Sequence, residues 1–157
     1  MADLDKLDVD LLRLIVTEPR AGMREYSRRL GIARGTATAR LDKLIAAGVL
    51  PDFAPSPDPA ALGYPLNADI HVTLRQIDLD RVVAEIGRIP FVLRADSLAG
   101  DDDLSCRVAA RDHGHLEEIT SMILAIDGVE RLRTDIVLRR RIPHRILPLL
   151  GDLRDHV

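Results

Sequence analysis

The feature that most constrains this chain is a run of prolines between its first and second parts. Pro51, Pro55, Pro57, Pro59 and Pro65 all fall within residues 51–65. Proline has a fixed φ and no backbone N–H, so this stretch cannot form a continuous helix or a central strand. The chain is therefore expected to fold as two domains, residues 1–50 and 66–140. They are joined by an extended, fairly stiff linker over 51–65 and followed by a C-terminal tail, 141–157.

Three helices are predicted before the linker. Leu7, Leu11, Leu14 and Ile15 follow the spacing i, i+4, i+7 and i+8, which predicts a helix over residues 5–17. A short helix over 24–30 is expected to end at the following glycine. A third helix over about 34–47 repeats the same apolar spacing and is also followed by glycine.

Residues 24–47 have the spacing of a helix-turn-helix. Ser27 is small where the second helix crosses the first, Gly31 can adopt a positive φ in the turn, and Ala37 and Leu41 can pack inward. The opposite side of the second helix carries small residues together with groups that can donate to phosphates or base edges: Gly35, Thr36, Ala39 and Lys43, with Arg40 flanking. A helix pair that merely packs would show a similar pattern.

The charge is distributed unevenly along the chain. The whole chain has a net charge of −3, whereas residues 1–50 hold nine basic and seven acidic side chains, a net of +2. Within residues 20–48 there are seven basic side chains against Glu25 and Asp42, an excess of +5. Such an excess fits a phosphate-binding surface, and it also fits an ordinary solvated helix surface. The predicted DNA contacts are Arg34, Thr36, Thr38, Arg40 and Lys43 in the groove, and Arg24, Arg28 and Arg29 on the backbone.

The second half predicts an α+β domain with the order β-α-β-β-α-β. Alternating apolar residues indicate strands at about 68–74, 91–99, 104–110 and 132–138, and helical spacing indicates helices at 78–88 and 112–126. This is the ferredoxin-like arrangement, in which both helices cover one sheet face. The other face is expected to be apolar and to be covered by a second subunit. His71 is predicted to lie on that other face, and Cys106 is predicted to be a buried small hydrophobe.

No cofactor and no metal are expected from these residues. A single cysteine excludes a disulfide within the chain and a cysteine-based zinc site, and His113 and His115 are not spaced as ligands on one helix face. No P-loop, dinucleotide fingerprint or Ser-His-Asp order is present. No apolar run approaches about 20 residues and the N-terminus is acidic, so no membrane partner and a cytoplasmic location are expected.

Several short motifs, in order, are similar to a known family. They are Leu4-Asp5 with Asp8 and Leu11-Leu12; Leu30-Gly31-Ile32; Arg40-Leu41 with Leu44; Gly48-Val49-Leu50; Asp58-Pro59 with Leu62-Gly63; Gly100-Asp101 with Asp103; and Gly128-Val129 with Thr134 and Ile136-Val137-Leu138. Together they resemble the Lrp/AsnC (leucine-responsive, feast/famine) transcriptional regulators over about residues 4–140. Two departures stand out: Ala33 replaces the usual serine before the recognition helix, and Leu104 stands where an aromatic residue often follows the glycine-aspartate turn.

The resemblance implies a bacterial, sequence-specific DNA-binding regulator. Its fold would be a winged-type helix-turn-helix followed by a ferredoxin-like domain, called RAM, that forms dimers and in some members octamers. It also implies a small, amino-acid-like effector bound between subunits near the glycine-aspartate turn, with the residues Leu98, Gly100, Asp101, Asp103 and Thr134. Backbone N–H groups of such a turn suit a carboxylate, and Asp101 or Asp103 could hold an ammonium.

Other interpretations stay open at this point. Residues 100–103 are equally consistent with a hairpin turn and nothing more, because glycine and aspartate are ordinary turn residues. An enzyme on the same two-domain plan, similar to haem-precursor decarboxylases, would need histidine or arginine in its cleft, whereas the basic residues gather at 20–48. A regulator without an effector and an assembly module that has lost DNA binding are the remaining alternatives. A non-enzymatic regulator is the predicted function.

Overall fold

The structure is a computed structural model that describes residues 3–50, 56–75 and 79–157. These residues form two compact units. The first contains the N-terminal residues up to position 50 together with residues 142–157, and the second contains residues 56–141.

Three N-terminal helices form most of the first unit: α1 (Lys6–Thr17), α2 (Gly22–Leu30) and α3 (Arg34–Ala46). Helix α1 begins with a capping box, in which the Asp5 carboxylate accepts from the backbone N–H of Asp8 at 2.8 Å. The three predicted helices are confirmed, and α2 begins two residues earlier than predicted. Apolar side chains of the helices meet in one core; its most buried members are Val9, Leu11, Leu12, Ile15, Tyr26 and Leu44.

The C-terminal helix, α6 (Leu147–His156), occupies the stretch that the sequence predicts as a tail; helices α4 and α5 belong to the second unit. Leu150 is buried in the core of the first unit, with Leu147 and Leu153 packed against the same core. Arg154 forms a bidentate ion pair with Asp10 of α1. The tail prediction is wrong for residues 147–156, because Leu147, Leu150 and Leu153 lie on one side of a helix whose single proline sits in its first turn, where no N–H partner is needed.

The described part of the proline-rich segment is not simply extended. Residues Pro59–Leu62 form one turn of 3₁₀ helix, which starts at Asp58, whose carboxylate accepts from the backbone N–H of Ala60 at 3.1 Å. A proline at the first helical position is compatible with such a turn, which is why the run of prolines does not keep this stretch extended. The predicted linker residues 51–55 lie outside the described residues.

The second unit is a four-stranded antiparallel sheet with two helices. The strands are β1 (Leu66–Leu74), β2 (Val92–Ser97), β3 (Leu104–Ala110) and β4 (Val129–Ile136), in the spatial order β2-β3-β1-β4. The helices are α4 (Leu79–Ile86) and α5 (His113–Leu124). The predicted α+β arrangement is confirmed.

Strand β4 lies earlier in the chain than predicted. It pairs with β1 from Leu74↔Val129 to Ala68↔Ile136, so its length is set by the strand beside it. Leu138, which the alternation places inside the sheet, is 95% exposed. The alternating pattern therefore extends past the end of the strand.

Both helices of the second unit pack on one face of the sheet. Ile70, Cys106 and Val108 point to that face and share a core with Val82 of α4 and Ile119 of α5. Cys106 is fully buried, as the alternation predicts, and burial raises the pKa of its thiol to about 11.

The other face, termed here the open sheet face, is polar. Alternation and strand register place these side chains on it: Asn67, Asp69, His71, Thr73, Arg94, Asp96, Ser105, Arg107, Arg131, Arg133 and Asp135. The prediction of an apolar face is wrong, because only the residues that alternate with the core positions reach this side and they are mainly charged. His71 lies on this face as predicted.

Among the described residues, no helix combines the length and the apolar character needed to cross a membrane.

Candidate nucleic-acid interface and effector cavity

Helices α2 and α3 are joined by a tight turn at Gly31. This glycine has φ +66°, a left-handed conformation that strains other residues, and the N–H of Ile32 donates to the Ser27 carbonyl at 3.1 Å. Helix α3 begins after Ala33, which provides no side-chain cap. Ala37 and Leu44 are fully buried and fix the inner side of α3 against the other helices. The turn therefore has the geometry that the sequence predicts for a helix-turn-helix.

The outer side of α3 is open to a ligand. Arg34, Thr36, Thr38 and Lys43 are all exposed, as are the small residues of the same helix, Gly35 and Ala39. In the part of the chain that the structure describes, the Arg34 guanidinium has no ion pair or hydrogen bond. A helix surface of small residues flanked by threonines and cations can approach a groove closely and donate hydrogen bonds there.

Arg40 is held inside the unit. Its Nη1 lies 2.7 Å from Asp5 Oδ2 and 2.6 Å from Asp8 Oδ1, and its side chain is 26% exposed. These carboxylates, that of Asp5 first, raise the pKa of the guanidinium above its ordinary value. Arg40 therefore ties α3 to the start of α1, and the predicted groove contact would have to compete with these two carboxylates.

Asp8 is the fully buried partner in this contact. Besides Arg40, its carboxylate lies 3.6 Å from the Lys43 ammonium, whose side chain remains 59% exposed. The pKa of Asp5 is lowered, mainly by the hydrogen bond from the Asp8 backbone N–H and in addition by Arg40. A buried carboxylate needs such partners, since an unpaired buried charge is costly.

Two of the three predicted phosphate contacts on α2 have acidic partners. Arg28 contacts Glu25 through Nε at 2.9 Å and Nη2 at 2.6 Å, and Arg29 contacts Glu25 at 2.8 Å and also pairs with Glu18. The hydrogen bonds from Arg28 and then Arg29 lower the pKa of Glu25 to about 2. Arg24 is exposed and has no ion pair among the described residues.

A cavity of about 690 Å³ lies at the glycine-aspartate turn of the second unit. Three of the five residues predicted for an effector, Leu98, Gly100 and Asp101, line it. Asp101 is exposed, and its carboxylate has no partner among the described residues. This space is termed here the effector cavity.

The other two predicted effector residues, Asp103 and Thr134, make contacts within the sheet. The Asp103 carboxylate accepts from the backbone N–H of Leu74 at 2.7 Å, and the Asp103 N–H donates to the Val72 carbonyl at 2.9 Å. Thr134 pairs with Ile70, so both side chains point to the helix-covered face, away from the cavity wall. Neither Asp103 nor Thr134 lines the cavity, although the Asp103 carbonyl accepts from the backbone N–H of the lining residue Leu98 at 2.9 Å.

Four charged or titratable residues of the effector cavity were missed by the sequence reasoning: His71, Asp102, Arg131 and Arg133. The Asp102 carboxylate lies 3.3 Å from Arg133 Nη2, 3.8 Å from Arg131 Nη2 and 3.6 Å from His71 Nδ1. The pairing of His71 with Arg133 and of Thr73 with Arg131 brings the arginines to the turn. Alternation of arginine with Leu132 indicates a polar face, but only the strand register shows where that face meets the turn.

Comparison with known proteins identifies both units. Residues 67–147 match the model of the Lrp/AsnC ligand binding domain, and residues 4–50 match a winged helix-turn-helix DNA-binding domain. The HTH-type transcriptional regulator FL11 of Pyrococcus horikoshii is 29% identical over 146 residues, covering 93% of this chain and 97% of that protein. The HTH-type transcriptional regulator AldR of Mycobacterium tuberculosis is 33% identical over 137 residues, covering 85% of this chain and 72% of that protein.

The fold is also found among solved structures. A transcriptional regulator of Neisseria meningitidis, crystallised in complex with L-methionine, superposes with a TM-score of 0.81 at 26% identity. The match covers 90% of this chain and 93% of that one. These similarities extend through the helix-turn-helix, the sheet and both helices that cover it.

Proposed function

Because the chain belongs to the Lrp/AsnC family of DNA-binding transcriptional regulators, we propose that it reads its operator with Arg34, Thr36, Thr38 and Lys43 of α3. The observation that carries this proposal is the contrast within α3: Arg40 is bound to two carboxylates, whereas the Arg34 guanidinium is exposed and unpaired among the described residues. An unpaired guanidinium can donate two parallel hydrogen bonds to a guanine edge.

Phosphate contacts are assigned to the α2 side of the unit. Arg24 is exposed and unpaired in the described part of the chain, so it can neutralise a phosphate without first leaving a carboxylate. Arg28 and Arg29 are exposed but share Glu25, so a phosphate would have to compete with that carboxylate. Arg24 is therefore expected to contribute more to DNA affinity than either neighbour.

The experiment is a set of binding isotherms on a duplex containing the region upstream of the chain's own gene. Arg24→Gln should weaken binding to this duplex and to a random duplex alike, because a phosphate contact carries no sequence information. Arg88→Gln, an exposed arginine of the second unit, is the control. Equal affinities for Arg24→Gln and the control would contradict the assignment of Arg24.

The effector cavity is proposed to bind an amino-acid-like molecule. Asp101 offers a free carboxylate for an ammonium, while Arg131 and Arg133 are 66% and 60% exposed and share the Asp102 carboxylate at the cavity wall. Arg133 also lies 3.8 Å from the Asp135 carboxylate, and Arg131 donates to the Thr73 hydroxyl at 3.4 Å. Leu98 and Leu132 add apolar surface for a side chain. The methionine complex of the Neisseria relative supports this ligand class without fixing the ligand of this chain.

Calorimetry with each of the twenty amino acids tests the proposal. Binding of at least one is expected, and Asp101→Asn should abolish it while leaving the affinity for DNA without ligand unchanged. Leu124→Gln, an exposed change outside the cavity, is the control. If no amino acid binds, the chain is an effector-independent regulator; if Asp101→Asn binds normally, the ammonium lies elsewhere.

The open sheet face is proposed to pair with a second copy of the chain. With Asp102 at its edge, this face carries four arginines (Arg94, Arg107, Arg131 and Arg133) and four aspartates (Asp69, Asp96, Asp102 and Asp135). Such a balanced face suits a surface of the same composition across a two-fold axis, and it does not favour a strongly charged partner. Dimers, and higher assemblies built from them, are the expected states.

Sedimentation of the full chain tests this assembly. At micromolar concentration the wild type should be at least dimeric, and Arg107→Glu should dissociate it because the change places a third acidic group beside Asp69 and Asp96. The control Arg88→Glu has the same charge change away from the face. A wild-type monomer, or equal assembly of both variants, would contradict the proposed interface.

A further inference from the structure

A basic segment, residues 139–145, connects the sheet to the C-terminal helix. It contains Arg139, Arg140, Arg141, His144 and Arg145, and no acidic residue occurs between Asp135 and Asp152. Its four arginines contribute +4 in a chain whose net charge is −3. This concentration is not explained by the fold, since the segment belongs neither to β4 nor to α6.

The arginines of the basic segment are free in the structure. All four are exposed, and none has an ion pair or side-chain hydrogen bond in the part of the chain that the structure describes. By contrast, the arginines of the adjacent open sheet face all have carboxylate partners: Arg94, Arg107, Arg131 and Arg133. The arginines of the sheet are therefore paired with carboxylates of the same chain, whereas those of the basic segment are available to a ligand.

The segment is anchored at both ends. Just before it, the backbone N–H of Val137 still donates to the Asn67 carbonyl at 2.9 Å, which extends the pairing of β4 with β1. Just after it, α6 is fixed to α1 by the buried Leu150 and by the Arg154–Asp10 pair. Arg145 thus belongs to the same compact unit as the helix-turn-helix, and Arg141 ends the other unit.

We propose that the basic segment is a second DNA contact, which binds phosphates of the duplex whose bases α3 reads. The proposal rests on the proposed DNA reading by α3 and extends it to residues outside the matched helix-turn-helix, which ends at residue 50. Exposed, unpaired arginines are suited to this task because each can replace a condensed counterion at a phosphate.

The test compares two double variants of the full chain. Arg141→Gln with Arg145→Gln removes two charges from the basic segment. These positions are chosen because Arg139 and Arg140 line a second cavity of the sheet unit, beside Tyr64 and Phe91, whereas Arg141 and Arg145 do not. Arg88→Gln with Arg111→Gln removes two exposed charges elsewhere in the chain. Binding is measured between 50 and 300 mM salt, about the range where counterion release dominates, on the upstream duplex and on a random duplex.

The basic-segment variant should reduce the slope of log K against log salt by about 0.9 for each phosphate that it no longer neutralises. Affinity should fall similarly on both duplexes, while the control variant keeps the wild-type slope. A wild-type slope in the basic-segment variant would overturn the proposal, whether or not the affinity of the variant is lower. If the wild type itself showed no preference for the upstream duplex, the reading by α3 would fail instead, which is a separate outcome.

Discussion

At the scale of single residues, the two arginines of α3 have different environments. Arg40 lies between Asp5 and the buried Asp8, and Arg34 extends from the first turn of the helix without a partner among the described residues. A cation that compensates a buried carboxylate stabilises the fold, whereas a free cation on an exposed helix surface is available to a ligand. The two residues should therefore respond differently to the same substitution.

Arg40→Ala should lower the free energy of unfolding by about 3 kcal/mol, because it leaves the buried Asp8 carboxylate with the Asp5 backbone N–H at 3.3 Å and, as its remaining cation, the more distant Lys43. Adding Asp8→Asn should recover part of this stability, since the buried charge is then removed. Urea denaturation measures both. Should Arg40→Ala denature like the wild type, the ion pair would not contribute to stability.

Arg34→Ala should show the reverse behaviour. Its stability should stay within about 0.5 kcal/mol of the wild type, because the side chain is exposed. Operator binding should weaken by about 1–3 kcal/mol and discrimination at one base pair should disappear. Binding isotherms on the operator and on single-base variants measure this, and an unchanged base preference would argue against direct reading by Arg34.

The ionisation of the Glu25 carboxyl makes the stability of the protein depend on pH. Its folded pKa is lowered from 4.5 to about 2, chiefly by the hydrogen bond from Arg28. A group with a lowered folded pKa stabilises the protein fully above its unfolded pKa, and this contribution disappears as the pH falls from about 4.5 towards 2. Glu25→Gln should therefore melt below the wild type at pH 7, and the difference should vanish near pH 2. A difference that is constant with pH would refute this role.

At the scale of helices and strands, the periodic elements could be predicted and their ends could not. The β-α-β-β-α-β order follows from alternating and helical spacing of apolar residues, whereas the end of β4 depends on where β1 begins. The Arg40–Asp8 contact joins residues 32 positions apart, so local spacing does not reveal it. Helix α6 is obscured in the sequence by Pro148 and Gly151, although Leu147, Leu150 and Leu153 share one side.

Helix α6 should stabilise the first unit. Leu150→Ala is expected to lower the free energy of unfolding by about 2–3 kcal/mol, since the side chain is only 8% exposed. Leu149→Ala is a matched control, because the adjacent leucine is 65% exposed and should change stability by less than about 0.5 kcal/mol. Hydrogen exchange of the α1 amides should quicken only in Leu150→Ala; equal effects of both changes would mean that α6 does not dock through Leu150.

At the scale of the whole molecule, the chain combines a winged helix-turn-helix unit with an Lrp/AsnC ligand binding domain. A small ligand and a second copy of the chain are the partners proposed for the second unit. The chain crosses between the units twice, once after the helix-turn-helix and once through the basic segment. A ligand changes DNA binding only if it favours one arrangement or assembly over another, since equal affinity for both shifts nothing. The residues that alternate with the core positions, such as Asn67, Asp69 and His71 in β1, indicate a polar open sheet face, whereas the expectation of an apolar face considered only the core positions.

The most direct measurement of the central claim is the affinity of the full wild-type chain for two duplexes of equal length at about 150 mM salt. One contains the region upstream of its own gene and the other a random sequence. The upstream duplex should bind at least about 1,000-fold more tightly, and affinity for both should fall steeply as salt rises. Equal affinities, or no binding to either, would contradict sequence-specific reading of DNA by α3.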